Sequence, residues 1–133
     1  MSYVELHSAS AFSFLEAASL PEALVDRAAE LGYPALALLD RDGVYGAPRF
    51  HKAATAAGLR AIIGAEVTIQ AAGDRPSTAE RRPLAVDRQP PVVSTFCLPV
   101  LVESREGYQN LCRLLTRMKL RSPDRNRFLA SCC

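Results

Sequence analysis

No stretch of this sequence approaches the ~20 consecutive apolar residues that a membrane-spanning helix requires. Its first residues also lack the apolar centre of a secretory signal. A cytoplasmic chain with no membrane partner is therefore expected. The four cysteines, Cys97, Cys112, Cys132 and Cys133, form no Cys-x-x-Cys pair, and no histidine stands at zinc-finger spacing from them. They are expected to be reduced thiols, with Cys97 and Cys112 packed in apolar surroundings and the adjacent terminal pair without a redox role. An excess of one charge is missing as well. Sixteen basic and 14 acidic residues leave a formal net charge of +2, too little to argue for nucleic acid by itself. With 49% hydrophobic and 23% charged residues, the 133-residue chain can pack a core and is not a disordered one. It amounts to one ordinary domain or part of a larger one.

The charge that is present is unevenly placed. Residues 1–67 carry eight acidic and five basic groups, whereas residues 68–133 carry six and eleven. Arg113, Arg117, Lys119 and Arg121 cluster near the end of one helical stretch, and Arg125 and Arg127 follow. Cations there complement the helix dipole as a solvated end. A nucleic-acid surface is the alternative, and it would show steeply salt-dependent affinity.

Apolar patterning divides the chain into strands near 3–7, 35–40, 61–69 and 97–102, with helices between them. Ser19 with Glu22 three residues on forms a capping box, and Pro21 suits the first turn of a helix. Leu20, Leu24, Ala28 and Leu31 would form its buried stripe, and Gly32 its stop. Ala35 to Leu39 is continuously apolar, as in a parallel strand covered on both faces. A second helix over Pro48–Ala57 would turn Phe50, Ala53, Ala54 and Ala57 inward and stop at Gly58. Gly73, Pro76, Pro83, Pro90 and Pro91 mark residues 71–91 as a long mobile loop. Ser104 can cap a last helix reaching about Leu120, with Tyr108, Leu111, Cys112, Leu115 and Met118 on one face. Strands alternating with helices give an α/β fold with parallel strands and covering helices.

Three strands end in a polar side chain: His7, Asp40 and Glu66. Taken singly, such residues are more often a hydrogen-bonded histidine and helix-capping carboxylates. Together they could hold a divalent metal (zinc, manganese or iron), which suits imidazole and carboxylate ligands and can generate hydroxide for phosphoester attack.

The motifs in order carry a resemblance. Tyr-Val-Glu-Leu-His with Ser-Ala-Phe-Ser-Phe-Leu and Ala-Ser at 3–19 resembles the opening of the PHP (polymerase and histidinol phosphatase) domain. So do Glu-Leu-Gly-Tyr-Pro-Ala-Leu-Ala-Leu-Leu-Asp at 30–40, Gly-Val-Tyr-Gly-Ala-Pro-Arg-Phe at 43–50 and Ala-Gly-Leu-Arg-Ala-Ile-Ile-Gly-Ala-Glu at 57–66. Glu106 to Thr116 extends the likeness, which is strongest to the PHP domain that begins bacterial error-prone DNA polymerase III α subunits. It covers about residues 3–121, as a partial PHP domain, and leaves 122–133 as a divergent, disordered tail of a broken or partial reading frame.

The resemblance implies about half of a distorted β/α barrel. Active members carry His-x-His on the first strand, where this chain has His7-Ser8-Ala9, and Asp-His after the second, where it has Asp40-Arg41. A guanidinium neither donates a lone pair nor deprotonates. His7, Asp40 and Glu66 would thus be residual ligands of a degenerate site, with a bound metal not expected. The polymerase active site of the family lies outside this chain. The resemblance implies DNA replication and repair for the intact protein, with the rest of the polymerase and, through it, DNA as partners. This chain alone would be a scaffold without activity, its unclosed barrel edges prone to self-association. A small metal-dependent phosphoesterase using His7, Asp40 and Glu66 is the enzymatic alternative, and a nucleic-acid-binding module through Arg113, Arg117, Lys119 and Arg121 the other.

Overall fold

Two glycines turn helices back into strands. Helix α1 (Pro21–Glu30) closes at Leu31, where Gly32 at φ +69° lets the Tyr33 amide donate to the Ala28 carbonyl at 2.9 Å. Helix α2 (Ala47–Ala56) closes in the same way, with Gly58 at φ +68° and the Leu59 amide 2.9 Å from the Ala54 carbonyl. A residue without Cβ accepts this left-handed step at little cost, and the two bonds satisfy carbonyls that a helix end leaves open. Each closure redirects the chain into the sheet, as β2 (Ala35–Arg41) and β3 (Arg60–Gln70). β1 (Glu5–Ser8) precedes them, and β4 (Thr95–Leu101) and α3 (Arg105–Arg121) complete the order. The computed structural model describes residues 3–70 and 95–121, so the loop expected at 71–91 and the tail expected at 122–133 lie outside the described residues.

The sheet runs β1-β2-β3-β4. β2 and β3 pair in parallel from Ala35↔Arg60 to Arg41↔Glu66, and β1 joins β2 in parallel with an irregular register between Glu5 and Ser8. β4 lies antiparallel to β3, from Gly64↔Leu101 to Gln70↔Thr95. The expected parallel arrangement thus holds for three strands and the sheet is mixed. An antiparallel neighbour reverses direction without the crossover helix that a parallel one demands.

Side chains alternate across a strand, and here one face receives the helices. Leu36 and Leu38 of β2 pack with Val25 and Ala28 of α1, Phe50 and Ala54 of α2, and Leu59. Ala65 and Val67 of β3 pack with Leu111 and Leu115 of α3, and Val100, Val102 and Met118 border that second cluster. β2 is buried from Ala35 through Asp40, which explains its unbroken apolar run. Ser104 caps α3 as expected, its hydroxyl accepting the Gly107 amide at 3.1 Å.

Some local expectations are corrected. Ser19 does not cap α1: the N-cap is Leu20, without a side-chain bond, and the Ser19 carbonyl accepts the Ala11 amide at 2.8 Å. Glu22 forms no capping box and instead accepts two bonds from Arg49 of α2, at 2.6 and 3.0 Å. Those bonds hold the Glu22 carboxyl below the usual carboxylate range. The pair's contribution is present at neutral pH and fades as pH falls through that lowered value; it is small, because the pair is exposed. The buried stripe of α1 is Pro21, Val25 and Ala28, while Leu20 and Leu31 are about half exposed. In α2, Ala47 is buried and Ala57, the C-cap, is exposed. No helix among the described residues is long and apolar enough to cross a membrane.

Phe50 is fully buried at the meeting of α1, α2 and β2. Phe50→Ala is expected to lower the unfolding free energy by about 3–5 kcal/mol, through lost transfer energy and the cavity left behind. Urea denaturation measures it, and a loss below about 1 kcal/mol contradicts this account of the core.

Candidate functional site

The C-terminal end of β2 delivers Asp40 and Arg41 in succession, so the pleat sends them to opposite faces. Asp40 is 1% exposed, and a carboxylate so placed must be matched by donors. Its Oδ1 accepts the Ser10 amide at 2.9 Å, the Ser10 hydroxyl at 2.7 Å and the Ser13 hydroxyl at 3.1 Å. Its Oδ2 accepts the amide of Gly46, the N-cap of α2, at 2.9 Å. Three donors thus converge on Oδ1 and one reaches Oδ2. A Cβ on Gly46 would stand 2.6 Å from Oδ2 and 2.9 Å from the Ser10 hydroxyl oxygen, so that position has room for glycine alone. Ser13 relays the hub further, its hydroxyl oxygen accepting the Arg41 amide at 2.9 Å.

The next turn is held by a second carboxylate. Asp42 takes a left-handed φ of +49°, which aspartate tolerates better than most residues. Its carboxylate accepts the Thr68 amide at 2.7 Å and the Thr68 hydroxyl at 2.8 Å, and its amide donates to the Glu66 carbonyl at 2.9 Å. The β2–α2 turn is therefore fastened to β3 on one side and to the 10–13 loop on the other.

On the opposite face, Arg41 reaches into a group of charges. Its guanidinium lies 2.7 Å from a Glu16 carboxylate oxygen and 3.5 Å from one of Glu66. Glu66 is Arg41's register partner on β3, so both side chains leave the same face of the sheet. His7 Nε2 stands 3.7 Å from the other Glu66 oxygen, with a side chain 57% exposed. Arg41 also donates to Cys97 Sγ at 3.0 Å. Cys97 is exposed beside this guanidinium, in place of the apolar surroundings expected for it, and Cys112 is half-buried. Tyr108 neighbours Cys112, and burial first, then Cys112, raises its phenol.

Of the three strand-end residues named from sequence, the fold brings His7 and Glu66 together and turns Asp40 to the other face. Strand-end position marked all three; the alternation Leu36, Leu38, Asp40 against Ala37, Leu39, Arg41 separates them. Glu16, Ser10, Ser13 and Gly46 were missed as site residues. Their only sequence signal is a small-residue loop beside a strand end, which does not say which carboxylate it serves. Of the basic group, Arg113, Arg117 and Arg121 are exposed on α3, whereas Lys119 lies over the Tyr45 ring, 4.4 Å from its centroid, and bonds its hydroxyl.

A divalent ion does not fit these residues. Asp40 is buried on the opposite face from Glu66 and holds the 10–13 loop and the start of α2, and Glu66 faces a permanent cation that an ion would have to displace against like charge. Ala9 contributes no donor atom where the family resemblance calls for a second imidazole. Among the described residues no three His, Cys, Asp or Glu side chains gather where an ion could be held.

Comparison with known proteins gives one family. The family model described as the PHP domain matches residues 5–130. The error-prone DNA polymerase of Anaeromyxobacter sp. (strain K) is 47% identical over 115 residues, covering 86% of this chain and 9% of that protein. The error-prone DNA polymerase of Mycobacterium tuberculosis (strain ATCC 25618 / H37Rv) is 41% identical over 127 residues, 96% of this chain and 10% of that protein. The chain thus spans about a tenth of the length of these curated relatives. Among solved structures, a candidate metal-dependent phosphoesterase from Bifidobacterium adolescentis superposes with a TM-score of 0.53 at 18% identity, covering 92% of this chain and 40% of that one. That likeness carries the fold: a partial α/β barrel built on a mixed sheet.

Asp40→Ala is expected to cost about 3–5 kcal/mol, because it leaves buried donors of the 10–13 loop and α2 unmatched. Gly46→Ala acts on the same hub, so its cost should shrink in an Asp40→Ala background. Denaturant melts of the four proteins in this double-mutant cycle measure the coupling, and strictly additive costs contradict the hub.

Proposed function

Because this chain belongs to the PHP domain family, we propose that it is the PHP segment of an error-prone DNA polymerase and serves it structurally, without hydrolysing phosphoesters. One observation carries the second half: the Arg41 guanidinium stands between Glu16 and Glu66, where the family resemblance calls for a ligand imidazole. A fixed cation there supplies the positive charge that the carboxylates need, but it offers no coordination position and activates no water. Asp40, committed to holding the 10–13 loop and α2, supports the same reading.

The polymerase half rests on identity of 41–47% to error-prone DNA polymerases across most of this chain. The structural role is supported by the sheet itself. β1 and β4 are its two outer strands among the described residues, and β4 leaves Phe96, Leu98 and Leu101 between 42% and 51% exposed. Strand edges and apolar positions of that kind suit continuation by further strands of a longer polypeptide.

Two measurements test the two halves separately. Elemental analysis of the purified chain should find manganese, zinc and iron well below one equivalent, with no chelator-sensitive hydrolysis of bis(p-nitrophenyl) phosphate. A full equivalent of metal with chelator-sensitive turnover would overturn the non-hydrolytic reading. For the structural role, the chain should replace the matching segment of the Anaeromyxobacter error-prone polymerase with primer extension retained, and Phe50→Ala in that chimaera should abolish it. A chimaera indifferent to Phe50→Ala contradicts the role.

A further inference from the structure

Helix α3 turns Leu111 and Leu115 into the core, and its opposite face carries Arg113, Arg117 and Arg121 at four-residue intervals. Side chains at that spacing stack on one side of a helix, here over about 12 Å of its length. All three are exposed. No described carboxylate pairs with any of them, whereas Arg27, Arg41 and Arg49 are each held by a glutamate. Among the described residues Arg113 has only the Asn110 side-chain oxygen, at 3.3 Å. From Gly107 to Arg121 the sequence contains no acidic residue, and the carboxylates nearest in sequence before it, Glu103 and Glu106, sit at the other end of the helix.

A structural account of these arginines covers little. The helix dipole favours cations in the last turn, which accounts for Arg121 but not for Arg113, two turns earlier. Neutralising neighbours would be expected if the ridge served only to lace the surface with ion pairs, and among the described residues they are missing. Lys119 does not belong to the ridge, since it is drawn sideways onto Tyr45. What remains is a row of three planar guanidinium groups, each able to take a phosphate through two parallel bonds.

We infer that the Arg113–Arg117–Arg121 ridge binds the phosphate backbone of DNA, without reading its sequence. The row offers bidentate phosphate donors but no carboxamide or carboxylate in its centre for base edges, so contacts position and do not specify. An acidic protein surface is a different partner, and the test separates it. The inference stands on charge and spacing alone: a hydrolytic chain could carry the ridge, and a non-hydrolytic one could lack it.

Fluorescence anisotropy of the full chain with a short labelled duplex, measured across potassium chloride concentrations, decides it. Three neutralised phosphates predict a slope of log affinity against log salt of about −2.7, or roughly a 40-fold loss between about 50 and 200 mM. Each of Arg113→Gln, Arg117→Gln and Arg121→Gln should reduce the slope by about 0.9, while Arg27→Gln should leave it unchanged. The exposed single variants are read individually, so the test does not depend on a triple variant folding. Binding that the arginine variants leave intact, binding carried by Arg125 and Arg127, or no binding at low salt each overturns the ridge. Competition by polyglutamate as effective as by unlabelled duplex overturns the assignment to DNA.

Discussion

A single buried carboxylate holds the working end of this sheet together. Asp40 stands 1% exposed at the end of β2 and gathers donors from three residues in two segments of the chain. Burying a charge is costly unless hydrogen bonds replace the lost water. That cost is offset here only if the 10–13 loop and the start of α2 take one arrangement. The hub therefore sets where α2 begins, and through Phe50 and Ala54 it orients the helix whose packing closes the main core. Gly46 is the geometric condition for this, since any side chain there would run into the Asp40 carboxylate.

The other face of the same strand end is governed by charge balance. Glu16 and Glu66 share one fixed cation, Arg41, whose side chain is 27% exposed, and His7 approaches Glu66 from the other side. A guanidinium and a bound metal can each neutralise a pair of carboxylates, but only the metal accepts lone pairs. A guanidinium at this position thus supplies the electrostatic role of a cation without its Lewis acidity.

Much of this architecture was legible in the sequence because its signals are local. The unbroken Ala35–Leu39 run marked a doubly covered strand, Gly32 and Gly58 marked the helix stops, and Ser104 marked the start of α3. Other features depend on contacts that sequence spacing does not encode. Ser19 looked like a cap, but its carbonyl belongs to Ala11, and the helix begins one residue later than a capping box requires. The grouping of His7, Asp40 and Glu66 treated strand ends as equivalent and overlooked that Asp40 and Glu66, offset by one position in register, leave opposite faces. Glu16 comes from an irregular loop, so nothing local tied it to Arg41. The direction of β4 is a matter of pairing and leaves no mark on its composition.

The central claim, that fixed protein charges do the neutralising work at this site, is tested most directly by thermal unfolding of the chelator-treated chain in increasing manganese or zinc. A ligand that binds the folded state raises the midpoint in proportion to the logarithm of its concentration. The account predicts a midpoint independent of either metal for the native sequence. A midpoint that climbs with metal concentration in the native sequence, and no longer does so once Glu66 is replaced by glutamine, would contradict it.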